Sequence, residues 1–154
     1  MSALSRVLSV LVLVGSGTVA GVLFGVALST VPALATMSPG RYVATHTLLG
    51  RNWDPTMPVI VLSSTLLSVW LAVVAPAGAA RTLLVVVAVA LLGVSVVSHF
   101  RNVPINRRVH RIDPAAIPVD WSDPRPTWRR WHLLRTALAL VALVSASVAV
   151  TLMG

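Results

Sequence analysis

The sequence predicts an all-α integral membrane protein, a bundle of four transmembrane helices. Its 154 residues are 56% hydrophobic and only 10% charged, and the mean hydropathy is +0.89. Because a soluble domain carries about 25% charged residues, this chain has too little polar surface to cover a water-exposed globule. It contains four long apolar runs without the alternation of a membrane β-barrel, so the spans are predicted to be helices.

The four apolar runs cover residues 7–31, 57–75, 82–98 and 133–153. Each is close to the roughly 17–25 residues that cross a hydrocarbon core of about 30 Å. Ala33-Leu34-Ala35 resembles a signal-peptide cleavage site, but the first run exceeds the apolar region of about 7–15 residues that such signals have. We therefore predict four spans in a single domain, 1–154.

Arginine placement predicts the orientation. All twelve basic residues are Arg, and only Arg6 and Arg81 lie on the side of the termini. The other ten lie in the segments 32–56 and 99–132 or at the mouth of the fourth span. Because cytoplasmic loops are enriched in basic residues, both segments are predicted to be cytoplasmic and both termini outside. Heavy use of Arg, Ala and Val suggests a GC-rich bacterial genome, and the expected location is the inner (plasma) membrane.

A short interfacial helix is predicted after the first span. Ser38 suits an N-cap, Pro39 the first helical position and Gly50 a stop. Tyr42 and His46 share the apolar face of this helix. Trp53, beyond it, fits the aromatic belt at the headgroups.

A ridge of small residues runs along the first span at Gly17, Gly21 and Gly25. Such a ridge lets another helix approach closely. Two interpretations remain open, packing inside the bundle and a seam between copies of the chain.

The third span is predicted to extend beyond the membrane as a helix kinked at Pro104, because an internal proline removes a hydrogen bond. Spacings of 3, 4, 4 and 3 give this extension a polar stripe: His99, Asn102, Asn106, His110 and Asp113. The fourth helix is predicted to begin before its apolar run, with Trp128, Trp131, His132 and Arg135 in one stripe. An ionisable residue such as Arg135 at the hydrocarbon boundary normally has a partner.

These patches converge at one mouth of the bundle and predict a site for a hydrophobic small molecule. Imidazoles move protons near neutral pH, and Arg and Asn stabilise oxyanions. The candidate catalytic residues are His132, His46, Asn102, Asn106 and Arg135. The candidate substrate-binding residues are Trp131, Trp128, Tyr42 and Trp53.

Two other classes of protein remain open. One is an accessory membrane protein whose Arg-rich loops bind anionic lipid headgroups or a partner. The other is a metal- or haem-dependent redox protein that uses His46, His99, His110 or His132. The chain has no Cys and no HxxxH pair, and His99 and His110 would lie about 16 Å apart on a continuous helix. Nucleic acid is not an expected partner, because a basic loop at a membrane already has an anionic one.

Several motifs resemble the anthrone oxygenase-like family of small four-helix membrane proteins. They are Asn102-Val103-Pro104-Ile105-Asn106, the Trp-rich approach to Arg135-Thr136, Val31-Pro32-Ala33-Leu34 and Asp54-Pro55-Thr56-Met57-Pro58. The resemblance implies an oxidation of anthrones to anthraquinones by molecular oxygen, in secondary metabolism and without a bound cofactor. A base and an oxyanion stabiliser would suffice, because a deprotonated anthrone reacts with oxygen itself. Many members carry Trp-Asn-His before Arg-Thr, whereas here Trp131 is followed directly by His132.

Overall fold

The computed structural model describes residues 2–51, 53 and 55–153. This part of the chain contains five helices and no strand: α1 (Ala3–Ala35), α2 (Pro39–Gly50), α3 (Thr56–Val74), α4 (Ala79–Val109) and α5 (Arg125–Met153). All except α2 are long and apolar enough to cross a membrane. The predicted four-span bundle with an additional short helix is therefore confirmed, and Asp54 of the family-like motif lies outside the described residues.

The four spanning helices pack in a ring in which α1 and α4 each contact both α3 and α5. Neighbours in the ring are antiparallel, because consecutive spans cross in opposite directions. Residues 75–78 join α3 to α4 at one end of the bundle. The other end, here called the capped end, carries α2 and the connection 110–124. Predicted site residues from α2, α4 and α5 thus meet at the capped end.

Small side chains allow α5 to pack closely against its neighbours. Ala139, Ala142, Ala146 and Ala149 follow one helical face, and all four are fully buried. Outward faces carry large apolar side chains that are more than half exposed, such as Leu66 and Val89. Because lipid is as apolar as these side chains, close packing rather than the hydrophobic effect holds such helices together.

Two glycines of the ridge on α1 face away from the bundle. Gly21 and Gly25 are exposed, and a Cβ added at either would meet no described atom within 4 Å. At Gly17 a Cβ would make an ordinary contact, 3.8 Å from Leu143. Packing of the ridge inside the bundle is therefore wrong for Gly21 and Gly25, and a homo-oligomer through this ridge stays a prediction.

Two π-helical turns interrupt the spanning helices near the capped end, Val26–Thr30 in α1 and Ser98–Asn102 in α4. Each is followed by a Val-Pro pair, Val31-Pro32 or Val103-Pro104. A proline lacks an N–H and its ring clashes with the carbonyl four residues earlier, and the wider turn accommodates both defects. The irregularity expected at Pro104 is thus present, one turn before the proline.

A second apolar cluster covers the capped end. Its buried members are Leu34, Tyr42, Val43 and Val109, and Trp121 packs against them from the connection 110–124. The contact between α2 and this connection requires Gly40, since a Cβ there would lie 2.5 Å from the carbonyl oxygen of Pro114. The bundle core forms a separate cluster, so a layer of polar side chains lies between two apolar ones.

Candidate functional site

The polar layer at the capped end is assembled from three helices. α2 contributes His46, α4 contributes Asn102 and Asn106, and α5 contributes Trp128, His132 and Arg135. His46, Asn102 and His132 are only 6%, 1% and 0% exposed. Buried polar groups are costly unless hydrogen-bonded, so their partners largely determine what each of them can do.

Asn106 is the central acceptor of this layer. Its side-chain oxygen lies 2.9 Å from the indole Nε1 of Trp128 and 3.1 Å from Nε2 of His46. An indole N–H can only donate, so the Asn106 atom that it meets must be the carbonyl oxygen. That assignment requires His46 to donate its own Nε2–H to the same oxygen.

His46 is therefore held as the tautomer with the proton on Nε2 and the lone pair on Nδ1. Within the described residues, Nδ1 of His46 has no hydrogen-bond partner. Burial lowers the pKa of His46 below its usual 6.5, the bond to Asn106 offsets part of this, and His110 lowers it further. At neutral pH the ring is uncharged, and Nδ1 is available as a base.

His132 is held differently, because both of its ring nitrogens are engaged. Nδ1 lies 3.2 Å and 3.0 Å from two guanidinium nitrogens of Arg135, and Nε2 lies 3.0 Å from the carbonyl oxygen of Leu23. A guanidinium only donates and a carbonyl only accepts, which fixes His132 as the Nε2–H tautomer. Its ring also stacks on Trp128, with centroids 5.0 Å apart and planes 4° from parallel. These contacts suit a positioning residue better than a base.

The carbonyl oxygen of Leu23 joins α1 to α5. Leu23 lies just before the π turn of α1, and its oxygen accepts both the backbone N–H of Val26 and the side chain of His132. The hydroxyl of Thr136 also approaches its oxygen, at 3.5 Å. α5 is thereby attached to α1 beside the site.

Arg135 crosses from α5 to α4. Besides its bonds to His132, it donates to the hydroxyl of Ser98 at 3.2 Å, and its guanidinium carbon lies 6.0 Å from the centre of the Trp128 ring. Among the described residues the salt bridge is between Asp123 and Arg125, so no carboxylate there neutralises Arg135. Its guanidinium is held instead by His132 and Ser98.

Asn102 is buried beside Trp128. Its amide nitrogen donates to the Trp128 backbone oxygen at 3.3 Å, while its own side-chain oxygen is buried without a partner among the described residues. Asn102 therefore secures the start of α5 and leaves one acceptor unused.

A groove of about 240 Å³ reaches the edge of this layer. It is lined by apolar residues of α1, including Val31 and Leu34, and by Tyr42, Arg125 and Trp128. A larger groove of about 810 Å³ lies at the opposite end of the bundle. No titratable side chain lines that larger groove in the described part of the chain, whereas the smaller groove borders the candidate site residues.

Arg125 holds one wall of the smaller groove. It pairs with Asp123 at 2.7 Å and donates to the carbonyl oxygens of Leu34 and Met37 at 3.0 Å and 2.6 Å. These contacts tie the end of α1 to the start of α5. The bond from Arg125 also lowers the pKa of Asp123.

Four of the residues singled out from the sequence lie apart from the buried layer. Trp131 packs under Arg101, 4.8 Å from its guanidinium carbon, and Trp53 is 43% exposed. His99 is exposed against Phe100. His110 is also exposed but borders the layer, 6.2 Å from His46 between ring centroids. The polar stripe divides because a π turn does not follow the α-helical period.

Sequence reasoning missed the pair formed by Asp123 and Arg125 and the role of Trp121 in the apolar cluster. The only signal for the pair was its spacing of two residues in a proline-rich connection. As for metals, the described residues contain no group of three or more His, Cys, Asp or Glu placed to hold an ion.

The fold and this layer define a small all-α membrane protein with a hydrogen-bonded imidazole, amide and indole cluster buried at one end of a four-helix bundle. A family model described as anthrone oxygenase matches residues 46–145, and the chain belongs to this family. The match includes the clustered residues from His46 to Arg135. Searches of curated proteins and of solved structures found no match. Membership suggests an oxygenase-type function.

Proposed function

We propose that this protein is a membrane-embedded, cofactor-independent oxygenase that acts on a hydrophobic polycyclic aromatic of the anthrone type. The observation that carries this proposal is the state of His46. Asn106 accepts its Nε2–H, and Nδ1, which has no partner among the described residues, is proposed as the base in a layer enclosed by two apolar clusters. Family membership supplies the class of reaction.

The proposed reaction needs a base and molecular oxygen. His46 Nδ1 takes a proton from the methylene carbon of the anthrone, and the charge spreads to the carbonyl oxygen. The carbanion transfers electrons to oxygen and forms a C–O bond, and the peroxide receives the proton held by His46. Loss of the second methylene proton with cleavage of the O–O bond gives the quinone. One anthrone and one oxygen thus yield one anthraquinone and one water.

The other residues have supporting roles in this proposal. Arg135, which has no carboxylate partner in the described part of the chain, supplies positive potential to the anionic intermediates. His132 orients Arg135 through its Nδ1. Trp128 offers a flat wall, and Asn106 keeps His46 in the productive tautomer.

Oxygen uptake tests this proposal. The purified protein in detergent, given an anthrone, is expected to consume one oxygen per anthraquinone formed, at a rate above that of the anthrone alone in detergent. With ¹⁸O₂, the new carbonyl should carry the label. Oxygen uptake by folded wild-type protein that is no faster than the uncatalysed reaction would contradict the proposal. Metal analysis and an absorption spectrum of the same sample test the metal or haem alternative.

Asn106→Asp is expected to move the acid limb of the pH–rate profile. In the wild-type protein, kcat/KM should fall only below pH 6.5, because burial lowers the pKa of His46. A carboxylate at 106 still accepts from His46 and Trp128, but its charge favours the imidazolium and raises the pKa of His46. The limb should then move to higher pH than in the wild-type protein, whereas an unmoved limb would exclude His46 as the titrating base.

The membrane location and orientation also belong to this proposal. Exposed arginines surround the capped end: Arg41, Arg51, Arg101, Arg107, Arg108, Arg111, Arg129 and Arg130. They support a cytoplasmic capped end that contacts anionic lipids of the plasma membrane.

Cysteine labelling in intact bacterial cells tests this orientation. An impermeant thiol reagent should label Ala77→Cys and not Ser122→Cys. Both positions are exposed, and the chain has no Cys of its own. The reverse labelling would overturn this orientation.

A further inference from the structure

The hydroxyl of Tyr42 is an unused donor beside the proposed base. Tyr42 is 1% exposed, and among the described residues its hydroxyl has no hydrogen-bond partner. The indole nitrogen of Trp121 is likewise buried and unpartnered, on a ring centred 6.4 Å from that of Tyr42. Buried donors are normally satisfied, so two unsatisfied ones on neighbouring rings indicate that an acceptor binds here.

The position of Tyr42 indicates the groove in which a ligand would supply that acceptor. Tyr42 lines the groove between α1 and the start of α5, together with Val31, Leu34 and Trp128. The charged residues of the lining are the paired Asp123 and Arg125, together with Arg129, and apolar side chains surround Tyr42 on the α1 side. A flat aromatic molecule with an oxygen at its edge matches this combination of surfaces.

We propose that the Tyr42 hydroxyl is the hydrogen-bond donor for the carbonyl oxygen of an aryl ketone substrate bound in this groove. The proposal rests on the proposed oxygenase function and assigns the polar atom by which the substrate is recognised. It makes Tyr42 a catalytic residue, because it would touch the oxygen on which charge develops.

The geometry links this donor to the base. Tyr42 and His46 are one turn apart on α2, with ring centroids 5.3 Å apart. When His46 removes the methylene proton, negative charge moves to the carbonyl oxygen, and a hydrogen bond to that oxygen becomes stronger. The donor must remain protonated meanwhile, and burial, with a contribution from Asp123, raises the pKa of Tyr42 to about 12.

Arg125 holds the tyrosine ring in place. Its guanidinium carbon lies 5.1 Å from the ring centre, while its nitrogens are engaged by Asp123 and the carbonyl oxygens of α1. The ring is thus fixed from one side by Arg125 and from another by His46. A fixed ring presents its hydroxyl to a ligand with little loss of conformational freedom.

Binding of two matched ligands tests the proposal. Anthraquinone carries ketone oxygens, whereas anthracene has the same three rings and no oxygen. Quenching of tryptophan emission in the full-length protein in detergent should show that Tyr42→Phe weakens anthraquinone binding about tenfold, the loss of one hydrogen bond. Anthracene affinity should stay within about twofold, since the apolar walls are unchanged.

Two controls separate recognition from folding. Tyr42→Phe removes a hydroxyl without a partner, so the thermal unfolding midpoint should be unchanged or higher. Ser16→Ala removes another buried, unpartnered hydroxyl, within the bundle on α1, and should leave both affinities unchanged. Equal anthraquinone binding by Tyr42→Phe and wild type, or no binding by wild type, would overturn the proposal.

Failure of this inference is distinguishable from failure of the proposed function. If Tyr42→Phe binds anthraquinone normally while oxygen uptake proceeds, the assignment of Tyr42 is wrong and the oxygenase stands. If binding depends on Tyr42 but no oxygen is consumed, the aryl ketone site stands and the oxygenase does not.

Discussion

His46→Gln is expected to reduce turnover of an anthrone by about 10²–10⁴-fold, the usual contribution of a general base. The glutamine amide can still donate to the side-chain oxygen of Asn106, which preserves the local packing, but it cannot accept a proton. The measurement is oxygen uptake at saturating substrate and neutral pH, compared with the unfolding midpoint of the same preparation.

His99→Gln is the matched control for this substitution. His99 lies at the same end of the bundle but is exposed and packs only against Phe100 among the described aromatic residues. Its turnover should equal that of the wild-type protein. Full activity of a folded His46→Gln variant would show that another group removes the proton.

His132→Leu is expected to lower the free energy of unfolding by about 3 kcal/mol. Leucine fills a similar volume but removes the imidazole N–H that the carbonyl oxygen of Leu23 accepts and leaves the guanidinium of Arg135 without its imidazole acceptor. Unsatisfied buried groups cost about 1–3 kcal/mol each, and the stack on Trp128 is lost as well. Reversible unfolding in mixed micelles measures the difference.

The same substitution at His99 provides the comparison. His99→Leu changes an exposed side chain and should alter the free energy of unfolding by no more than about 0.5 kcal/mol. In addition, a His132→Gln variant that remains folded should keep the acid limb of the pH–rate profile, because His46 is the proposed base. Loss of that limb, or a stable His132→Leu protein, would contradict the positioning role of His132.

Much of the fold was predictable because the properties that determine it are local. Hydrophobic length alone identified the four spans, and Ser38, Pro39 and Gly50 correctly delimited α2. The order of the spans also predicted that His46, Asn102, Asn106 and the start of α5 lie at one end of the bundle. Periodicity failed where the helix is not an α-helix: across Ser98–Asn102, His99 turns outward while Asn102 is buried.

Adjacent residues on α5 show a second limit of sequence reasoning. Trp131 and His132 differ by one position, yet one packs under Arg101 and the other stacks on Trp128. The glycine ridge is a third case, because small residues permit close approach but do not specify which helix approaches.

By itself, then, the sequence determined a four-helix membrane protein with imidazoles, amides, indoles and arginines at one mouth, since span length, charge placement and helical period are local properties. Only the tertiary structure decided what each group can do. His46 meets Asn106 across 60 positions of the chain, and His132 meets Leu23 across 109. A histidine's tautomer follows from its hydrogen-bond partners, and these partners come from other helices. Among the described residues, tertiary packing therefore engaged both ring nitrogens of His132 but only one ring nitrogen of His46.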